Sequence, residues 1–272
     1  MRSKNIYKIL SFCLALVFLA LTSFAGAVSK DQRNYTSKWT PKRYFASVDI
    51  GGLLSFLQVG YDYEYSEELW GEDLTISDAV DNSEALGFSA GAGFYVMEYL
   101  EIAASMNVFS KSLNGRYGFS LPNVYLWDDI ASAETTANPE FRETIFHFVV
   151  NFHPITSGNI RPFIGAGVSY ISGKMDLLND IIYEESFFLD WTHEVEITDI
   201  EFAETDINKL GFNFTGGMDF YLTHSVAFYA SGRYIIAKQE FEHPLTTRWE
   251  EGETIELNLG GLSANLGIRV FF

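Results

Sequence analysis

The sequence predicts an all-β protein, an eight-stranded antiparallel up-and-down β-barrel. Three observations predict this fold. Segments of about ten residues, in which apolar residues alternate with small or polar ones, recur eight times, which is the pattern of strands with two different faces. The connections between these segments alternate between short and long, and the chain begins with an export signal. Together these features favour a barrel that crosses a membrane.

The alternation is clearest in the second segment, ALGFSAGAGFY. Even positions from Leu86 to Phe94 carry large apolar residues or alanine, while odd positions from Gly87 to Gly93 carry glycine or serine. The pattern recurs in seven further segments, at 43–52, 100–108, 143–152, 161–170, 210–220, 226–234 and 261–272. Each is about as long as a tilted strand that crosses a bilayer. Because strands in lipid can leave no unpaired edge, such segments predict a closed barrel.

The connections supply an independent argument. Three are short, at 97–99, 153–159 and 222–225, and four are long, at 54–84, 110–142, 172–209 and 237–256. Outer-membrane barrels have short periplasmic turns and long external loops. The complete prediction is therefore an eight-stranded antiparallel up-and-down transmembrane β-barrel with short periplasmic turns and four long extracellular loops, and with both chain ends on the periplasmic side.

A soluble lipocalin-like barrel is the alternative, because it also has eight strands. Its apolar face would line the interior, and its polar face would meet water. Here the second face consists mostly of Gly, Ser, Ala and Asn. Small side chains suit a narrow interior better than a solvated exterior, so the residues favour the membrane barrel, whereas an export signal fits both.

The first 27 residues have the three parts of a secretory signal peptide. Basic residues (Arg2, Lys4 and Lys8) precede an apolar run at 9–21, and small residues follow, ending at Ala27. Because a helix needs about 20 apolar residues to span a bilayer, this shorter run predicts cleavage near Ala27 rather than an uncleaved anchor.

The rest of the chain shows no boundary between domains. No linker or low-complexity run interrupts it, and its six prolines are scattered. We therefore expect residues 1–27 to be the signal peptide, 28–42 a short periplasmic N-terminal segment, and 43–272 one outer-membrane β-barrel domain.

Charge and cysteine content exclude several functions. Removing residues 1–27 leaves 15 basic against 36 acidic residues, a net charge of −21, which argues against nucleic acid as a partner. The single cysteine, Cys13, lies in the signal peptide, so disulfides and Cys-ligated metals are not expected. No short motif places a nucleophile beside a base, and GAGFY and GAGVSY lack the third glycine of a dinucleotide fingerprint. The sequence therefore predicts neither an enzyme nor a bound cofactor or metal.

The predicted inward faces carry seven ionisable residues. They form a candidate lumen charge network that consists of Asp49, Glu101, His147, Arg161, Asp219, Arg233 and Arg269. Buried ions in a narrow lumen must pair or bear a large desolvation cost. The network is either a structural salt-bridge plug or a gate that opens by exchanging partners. His147 is either a hydrogen-bonded lumen residue or a pH switch.

The long loops carry most of the negative charge. The first (55–84) has nine acidic and no basic residues, and the third (172–209) has eleven acidic and two basic. This charge either solvates the loops or binds divalent cations, which also bridge the anionic lipopolysaccharide around a barrel. Aromatic residues interleaved with the charges favour packed or partner-binding loops over disorder; they include Trp70, Trp127, Phe187, Phe188 and Trp191.

Aromatic residues also stand near the strand ends on the apolar face. They are Tyr44, Phe94, Phe152, Tyr170, Phe220, Tyr234 and Phe272. Rings at these positions are typical of the girdles that lie at the two membrane interfaces.

Three segments resemble the small eight-stranded outer-membrane barrels of the OmpA transmembrane-domain, OmpX and OmpW type. They are RPFIGAGVSY at 161–170, GGMDFYLTHSVAFYASGRY at 216–234 and GLSANLGIRVFF at 261–272. The resemblance implies residence in a Gram-negative outer membrane as a monomer, with outer-membrane lipid and lipopolysaccharide as surroundings. It further implies that the barrel-assembly machinery recognises Phe272 together with Leu266, Ile268 and Val270.

The resemblance specifies the fold better than an activity. We expect first a structural or surface-interaction protein with a charge-plugged or very narrow lumen. An OmpW-like channel for small hydrophobic or polar solutes is the main alternative, and a lipid-modifying outer-membrane hydrolase is a minor one. Because the sequence ends with its last strand, no peptidoglycan-binding domain is expected after it.

Overall fold

A computed structural model describes residues 46–57, 61–69, 72–81, 84–122, 130–187, 193–242 and 254–272. The predicted signal peptide and the segment 28–42 lie outside these residues. Five of the aromatic residues named above also lie outside them: Tyr44, Trp70, Trp127, Phe188 and Trp191. Among the described residues, no helix is long and apolar enough to cross a membrane.

The described residues form fourteen β-strands. They are β1 (Ala46–Leu57), β2 (Tyr61–Leu69), β3 (Glu72–Asp81), β4 (Glu84–Met97), β5 (Leu100–Ser112), β6 (Asn114–Pro122), β7 (Ile130–Ala137), β8 (Glu140–Phe152), β9 (Ile160–Phe187), β10 (His193–Tyr221), β11 (Val226–Ile236), β12 (Lys238–Glu242), β13 (Thr254–Asn258) and β14 (Gly261–Phe271). Eight of them close into a barrel in the order β1-β14-β11-β10-β9-β8-β5-β4, and β4 pairs again with β1. Every pairing in the ring is antiparallel, which confirms the predicted fold class.

The two faces of the wall follow the predicted alternation. Large apolar side chains point outward, and Ile164, Phe212 and Leu266 are each 63–67% exposed. The inward positions carry small residues because the strands approach closely; a Cβ at Gly167 would collide with the carbonyl oxygen of Phe148. A soluble barrel would place its apolar face inside, so this wall is suited to lipid and the lipocalin-like alternative is wrong.

The described parts of the four predicted long loops are largely β-structure. Strands β2, β3, β6 and β7 form one four-stranded sheet, and β12 pairs with β13. The pattern responsible is visible in β2, where Tyr61 and Tyr63 are buried and Asp62 and Glu64 are exposed. The sequence predicted long loops, packed or partner-binding rather than disordered. In β2 the acidic residues form the outer face of a strand whose inner face is apolar.

Strands β9 and β10 extend far beyond the barrel. They pair with each other up to Phe187 and His193, whereas β8 leaves β9 after Met175 and β11 leaves β10 after Phe212. The 28 residues of β9 span about 90 Å at ~3.3 Å per residue, against about ten residues needed to cross the bilayer. The predicted fifth and sixth strands, which covered 161–170 and 210–220, were therefore too short at the external end.

The external sheet packs against this long hairpin through its own apolar cluster. Tyr117 and Phe119 of β6 are buried with Leu178 of β9. The rings of Tyr117 and Phe202 lie 5.7 Å apart, and those of Phe119 and Tyr183 lie 4.5 Å apart. Burial of these side chains stabilises an ordered external region.

Candidate functional site: the barrel lumen

The predicted lumen charge network consists of side chains that the wall turns inward. Each of seven barrel strands contributes one member, in chain order Asp49, Glu101, His147, Arg161, Asp219, Arg233 and Arg269. The strand register places Asp49 opposite Arg269 and Asp219 opposite Arg161. Opposite charges therefore face each other across adjacent strands, where side chains interact most strongly.

Arg269 is the centre of one group. Its Nη1 lies 3.3 Å from both carboxylate oxygens of Asp219, and its Nη2 lies 3.6 Å from Oδ2 of Asp49. The guanidinium also lies over two rings, 5.4 Å from the centroid of Phe163 and 5.2 Å from that of Tyr229. The guanidinium of Arg269 thus forms ion pairs with two carboxylates, and the faces of two aromatic rings also contact it.

Glu101 is held by a second group, closer to the periplasmic end. Ser47 donates a hydrogen bond to Oε1 at 2.9 Å, and the amide of Asn151 donates to Oε2 at 2.9 Å. His153 Nε2 lies 3.2 Å from the same Oε2. The sequence prediction placed His153 in a short turn and did not include it among the lumen residues. Its inward position could have been predicted, because His153 continues the alternation of the inward residues Val149 and Asn151.

Arg161 and three aromatic residues form the periplasmic floor of the lumen. The Arg161 guanidinium lies 4.4 Å from the ring centroid of Tyr221, which in turn stacks on Phe271 at 4.9 Å. Tyr95 lies 6.3 Å from Phe271 and 5.5 Å from His153. The sequence offered Phe272 as the notable terminal aromatic, but its neighbour Phe271 points inward and is buried.

His147 belongs to a hydrogen-bonded chain at mid-height. The Asn213 amide donates to Ser169 Oγ at 2.8 Å, and Ser169 Oγ lies 2.8 Å from His147 Nδ1. A serine beside a histidine is the arrangement of an activated nucleophile. Both residues are 0% exposed, however, so a substrate in the surroundings has no access to this pair in the structure. Arg233, also at mid-height, donates to Ser105 at 3.2 Å.

A cavity of about 30 Å³ lies between these polar groups. Its lining includes Asp49, Asn151, Arg233 and Arg269. One water molecule needs roughly 10–15 Å³ measured in this way, so the cavity has room for about two.

Above the polar layer, the external half of the lumen is mostly apolar, although the inward carboxylate of Glu143 is buried there between Phe141 and Ile145. The side chains there pack into one cluster that continues into the external region; its members on the barrel strands include Leu53, Phe109, Phe141, Ile145, Ile171, Met175, Ile207 and Ile235. The predicted inward charges do not reach this layer. It was not anticipated, because an alternating segment identifies a face but not the height at which that face changes from polar to apolar.

The external region contains one further buried polar pair. Tyr61 donates a hydrogen bond to Asp78 Oδ2 at 2.8 Å, and both side chains are buried. Burial and the neighbouring Asp78 carboxylate raise the pKa of Tyr61, so its hydroxyl remains a donor at neutral pH. No group of three or more His, Cys, Asp or Glu side chains within the described parts of the chain could hold a metal ion.

The residues of the predicted assembly signal lie on the outer face of β14 and just after it. Leu266, Ile268 and Phe272 are exposed, and Val270 is half-buried. The backbone N–H of Phe272 donates to the carbonyl of Ala46 at 2.9 Å, so the last residue adjoins the first barrel strand where the ring closes.

Comparisons with solved structures find barrels of similar topology. OprG, an outer membrane protein of Pseudomonas aeruginosa, is 10% identical, and the match covers 85% of this chain and 97% of that chain with a TM-score of 0.49. Neisserial surface protein A is 12% identical, with 84% and 97% covered and a TM-score of 0.43. OmpT of Escherichia coli, an outer membrane protease, is 10% identical, with 88% and 99% covered and a TM-score of 0.42.

Sequence comparison adds no closer relationship: no family model and no curated protein matches the chain. The assignment of the fold type therefore rests on the architecture. Eight antiparallel strands close into a ring, the outer wall is apolar, and the narrow interior contains a layer of buried ionisable groups below a mostly apolar layer. The protein is a small transmembrane β-barrel of the outer-membrane type.

Proposed function

We propose that this protein is a closed outer-membrane barrel whose external β-structure meets partners outside the cell. In this proposal the barrel is an anchor, and its lumen conducts no solute. The observation that carries the proposal is the filling of the lumen, where ion pairs surround a cavity of about 30 Å³. An eight-stranded barrel has an interior just wide enough for its side chains to fill.

Two further layers support a closed lumen. The aromatic floor of Tyr95, Tyr221 and Phe271 lies below the ion pairs, and the apolar cluster lies above them. A hydrated ion would have to displace both layers as well as separate Arg269 from its carboxylates. Exchange of ion-pair partners alone, the gate considered from the sequence, would leave the apolar layer in place.

The order of the external region supports its role as the interacting part. Four strands pack on the β9–β10 hairpin through buried aromatic and aliphatic side chains. Connections without function are usually short, whereas here much of the chain builds a packed structure beyond the barrel. The proposal also holds that the protein is not an enzyme, since the Ser169–His147 pair is buried.

Conductance in planar bilayers tests the closed lumen. The wild-type protein should give no steady openings. A variant that thins the apolar layer, Phe109→Ala with Ile145→Ala and Ile171→Ala, should also remain closed, since the ion pairs and the aromatic floor persist. Adding Arg269→Met and Phe271→Ala, which reduces all three layers, should permit openings. Steady wild-type conductance that Arg233→Ala changes would refute the proposal and favour a channel.

Cysteine labelling in intact cells tests which side the external sheet occupies. The mature chain is predicted to have no cysteine, so two isosteric variants can be compared. Ser66→Cys places a thiol on the exposed face of β2, and Ser157→Cys places one in an exposed turn at the other end of the barrel. A membrane-impermeant maleimide should label only the first. Labelling of Ser157→Cys alone would reverse the orientation and end the proposal.

A further inference from the structure

The carboxyl group of Glu143 on β8 is buried in the apolar layer of the lumen. Glu143 is 2% exposed and lies on the inward face between Phe141 and Ile145. Neither of its carboxyl oxygens has a hydrogen-bond partner among the described residues. The ion pairs of the polar layer do not include this group, and the function proposed above does not use it.

The two strands beside β8 supply no side-chain donor at this height. Phe109 of β5 lies directly opposite Glu143, and its ring is 6.1 Å from that of Phe141. On the other side the partner in the register is Gly173 of β9, which has no side chain. An added Cβ at Gly173 would collide with the carbonyl oxygen of Arg142, so the two strands approach closely here.

Ionisable groups on the surrounding barrel strands make their contacts elsewhere. The ammonium of Lys111 on β5 donates to the backbone carbonyl of Glu84. Further down β8, His147 shares a hydrogen bond with Ser169. Lys209 of β10 lines an exposed cleft outside the layer. None of these groups is hydrogen-bonded to the buried carboxyl.

Tyrosine residues face the layer from the external sheet. Tyr61 and Tyr63 of β2 belong to the cluster, and Tyr65 packs against it. The hydroxyl of Tyr61 donates to Asp78. Tyrosine hydroxyls are uncharged at neutral pH, so they bring no positive charge to the layer.

A carboxyl group in such surroundings is stable only in its uncharged form. An unpaired carboxylate in hydrocarbon bears a large desolvation cost, and the group takes up a proton instead. An exposed glutamic acid, by contrast, loses its proton at about pH 4.3. Folding therefore requires Glu143 to hold a proton at pH values at which the unfolded chain has released it.

The layer that contains Glu143 also joins the barrel to the external sheet. Phe141 and Ile145 of β8 belong to the same cluster as Tyr61 and Tyr63 of β2 and Val80 of β3. Burial of these side chains against one another stabilises the contact. A charge placed among them would draw water into the layer and weaken that burial.

We propose that Glu143 makes the attachment of the external sheet to the barrel dependent on pH. While its carboxyl group holds a proton, the apolar layer is dry and the external sheet is packed on the barrel. Loss of the proton at higher pH puts an unpaired charge into the layer, hydrates it and loosens β2 and β3. This property depends neither on whether the lumen conducts nor on which partner the external region meets.

Urea unfolding of the full chain in lipid vesicles at a series of pH values tests the proposal. Wild-type protein is compared with Glu143→Gln, whose side chain has the same shape and carries no charge. Unfolding of the wild type releases the proton, so its stability relative to the variant is greatest below about pH 4.3 and falls as the pH rises. The ratio of the two unfolding constants should increase at least about tenfold between about pH 5 and pH 7.

Limited proteolysis measures the attachment of the external sheet. At about pH 5 the same protease should digest β2 and β3 equally fast in the wild type and in Glu143→Gln, since both side chains are uncharged. At about pH 9 it should digest them faster in the wild type. Equal digestion of the two folded proteins at both pH values would overturn the proposal.

Two further variants control for general charge effects and for failure to fold. Glu140→Gln removes an exposed carboxylate from the same strand, so its unfolding constant should follow that of the wild type within about twofold at every pH. Glu143→Met gives the same test as Glu143→Gln if the glutamine variant does not fold. A wild-type pH profile identical to that of a folded Glu143 variant, or equal effects of Glu140→Gln and Glu143→Gln, would overturn the proposal.

Discussion

Arg269 forms ion pairs with both Asp49 and Asp219, so its replacement by methionine is the most direct test of the ion pairs in the lumen. Methionine retains an unbranched apolar stem but lacks the guanidinium that pairs with Asp219, whose carboxylate is fully buried, and with Asp49. At 3.3 Å and an effective dielectric constant of about 20, one such pair amounts to about 5 kcal/mol. Breaking a buried pair by removing one partner typically costs about 3–5 kcal/mol, and we expect a loss of unfolding free energy in that range.

Urea unfolding in lipid vesicles, followed by tryptophan fluorescence, measures this loss. The double variant Arg269→Met with Asp219→Leu removes both ions, and we expect it to recover a large part of the lost stability. A double-mutant cycle then isolates the pair. If Arg269→Met unfolded at the wild-type urea concentration, or if the double variant lost as much as the two single variants together, the ion-pair interpretation of the lumen would be wrong.

Three further predictions concern the apolar layers and the external sheet. Phe141→Ala removes a fully buried ring from the apolar layer and should lower the unfolding free energy by about 3–5 kcal/mol in the same urea assay. Phe271→Ala should cost a similar amount, whereas Phe272→Ala, on the exposed face, should leave stability nearly unchanged and slow assembly in cells; equal stabilities of the two variants would contradict the inward position of Phe271. Tyr61→Phe leaves the buried Asp78 carboxylate without this donor and should raise protease sensitivity of the external sheet, with a loss of about 1–3 kcal/mol; an unchanged digestion pattern would contradict it.

The barrel strands were predictable because lipid imposes a simple rule on sequence. Every outward position must be apolar, and every inward position must fit a narrow interior, so segments such as 85–95 reveal both faces without knowledge of any neighbour. The short turns and the closure of β14 beside β1 follow from the same pattern. In the external strands the alternation is weaker evidence, because water solvates Asp62 and Glu64 equally well on a strand or in a loop.

The contacts inside the barrel were less predictable. Alternation alone shows that Glu101, His147 and Asp219 point inward, but partners depend on register and on stagger between strands. Glu101 meets Ser47, Asn151 and His153, which lie as many as 54 residues away in the chain. No local sequence pattern predicts hydrogen bonds between residues so far apart in the chain.

The sequence by itself determined which residues face lipid, how many strands close the ring and seven of the ionisable groups that enter the lumen, although His153 and Glu143 were not among them. These properties follow from local periodicity, because successive side chains of a strand point to opposite faces of the sheet. The tertiary structure decided the rest: that Arg269 serves two carboxylates, that Phe271 rather than Phe272 seals the floor, and that an apolar layer lies above the ions. These arrangements depend on the relative heights of residues on different strands, and only the closed ring sets those heights.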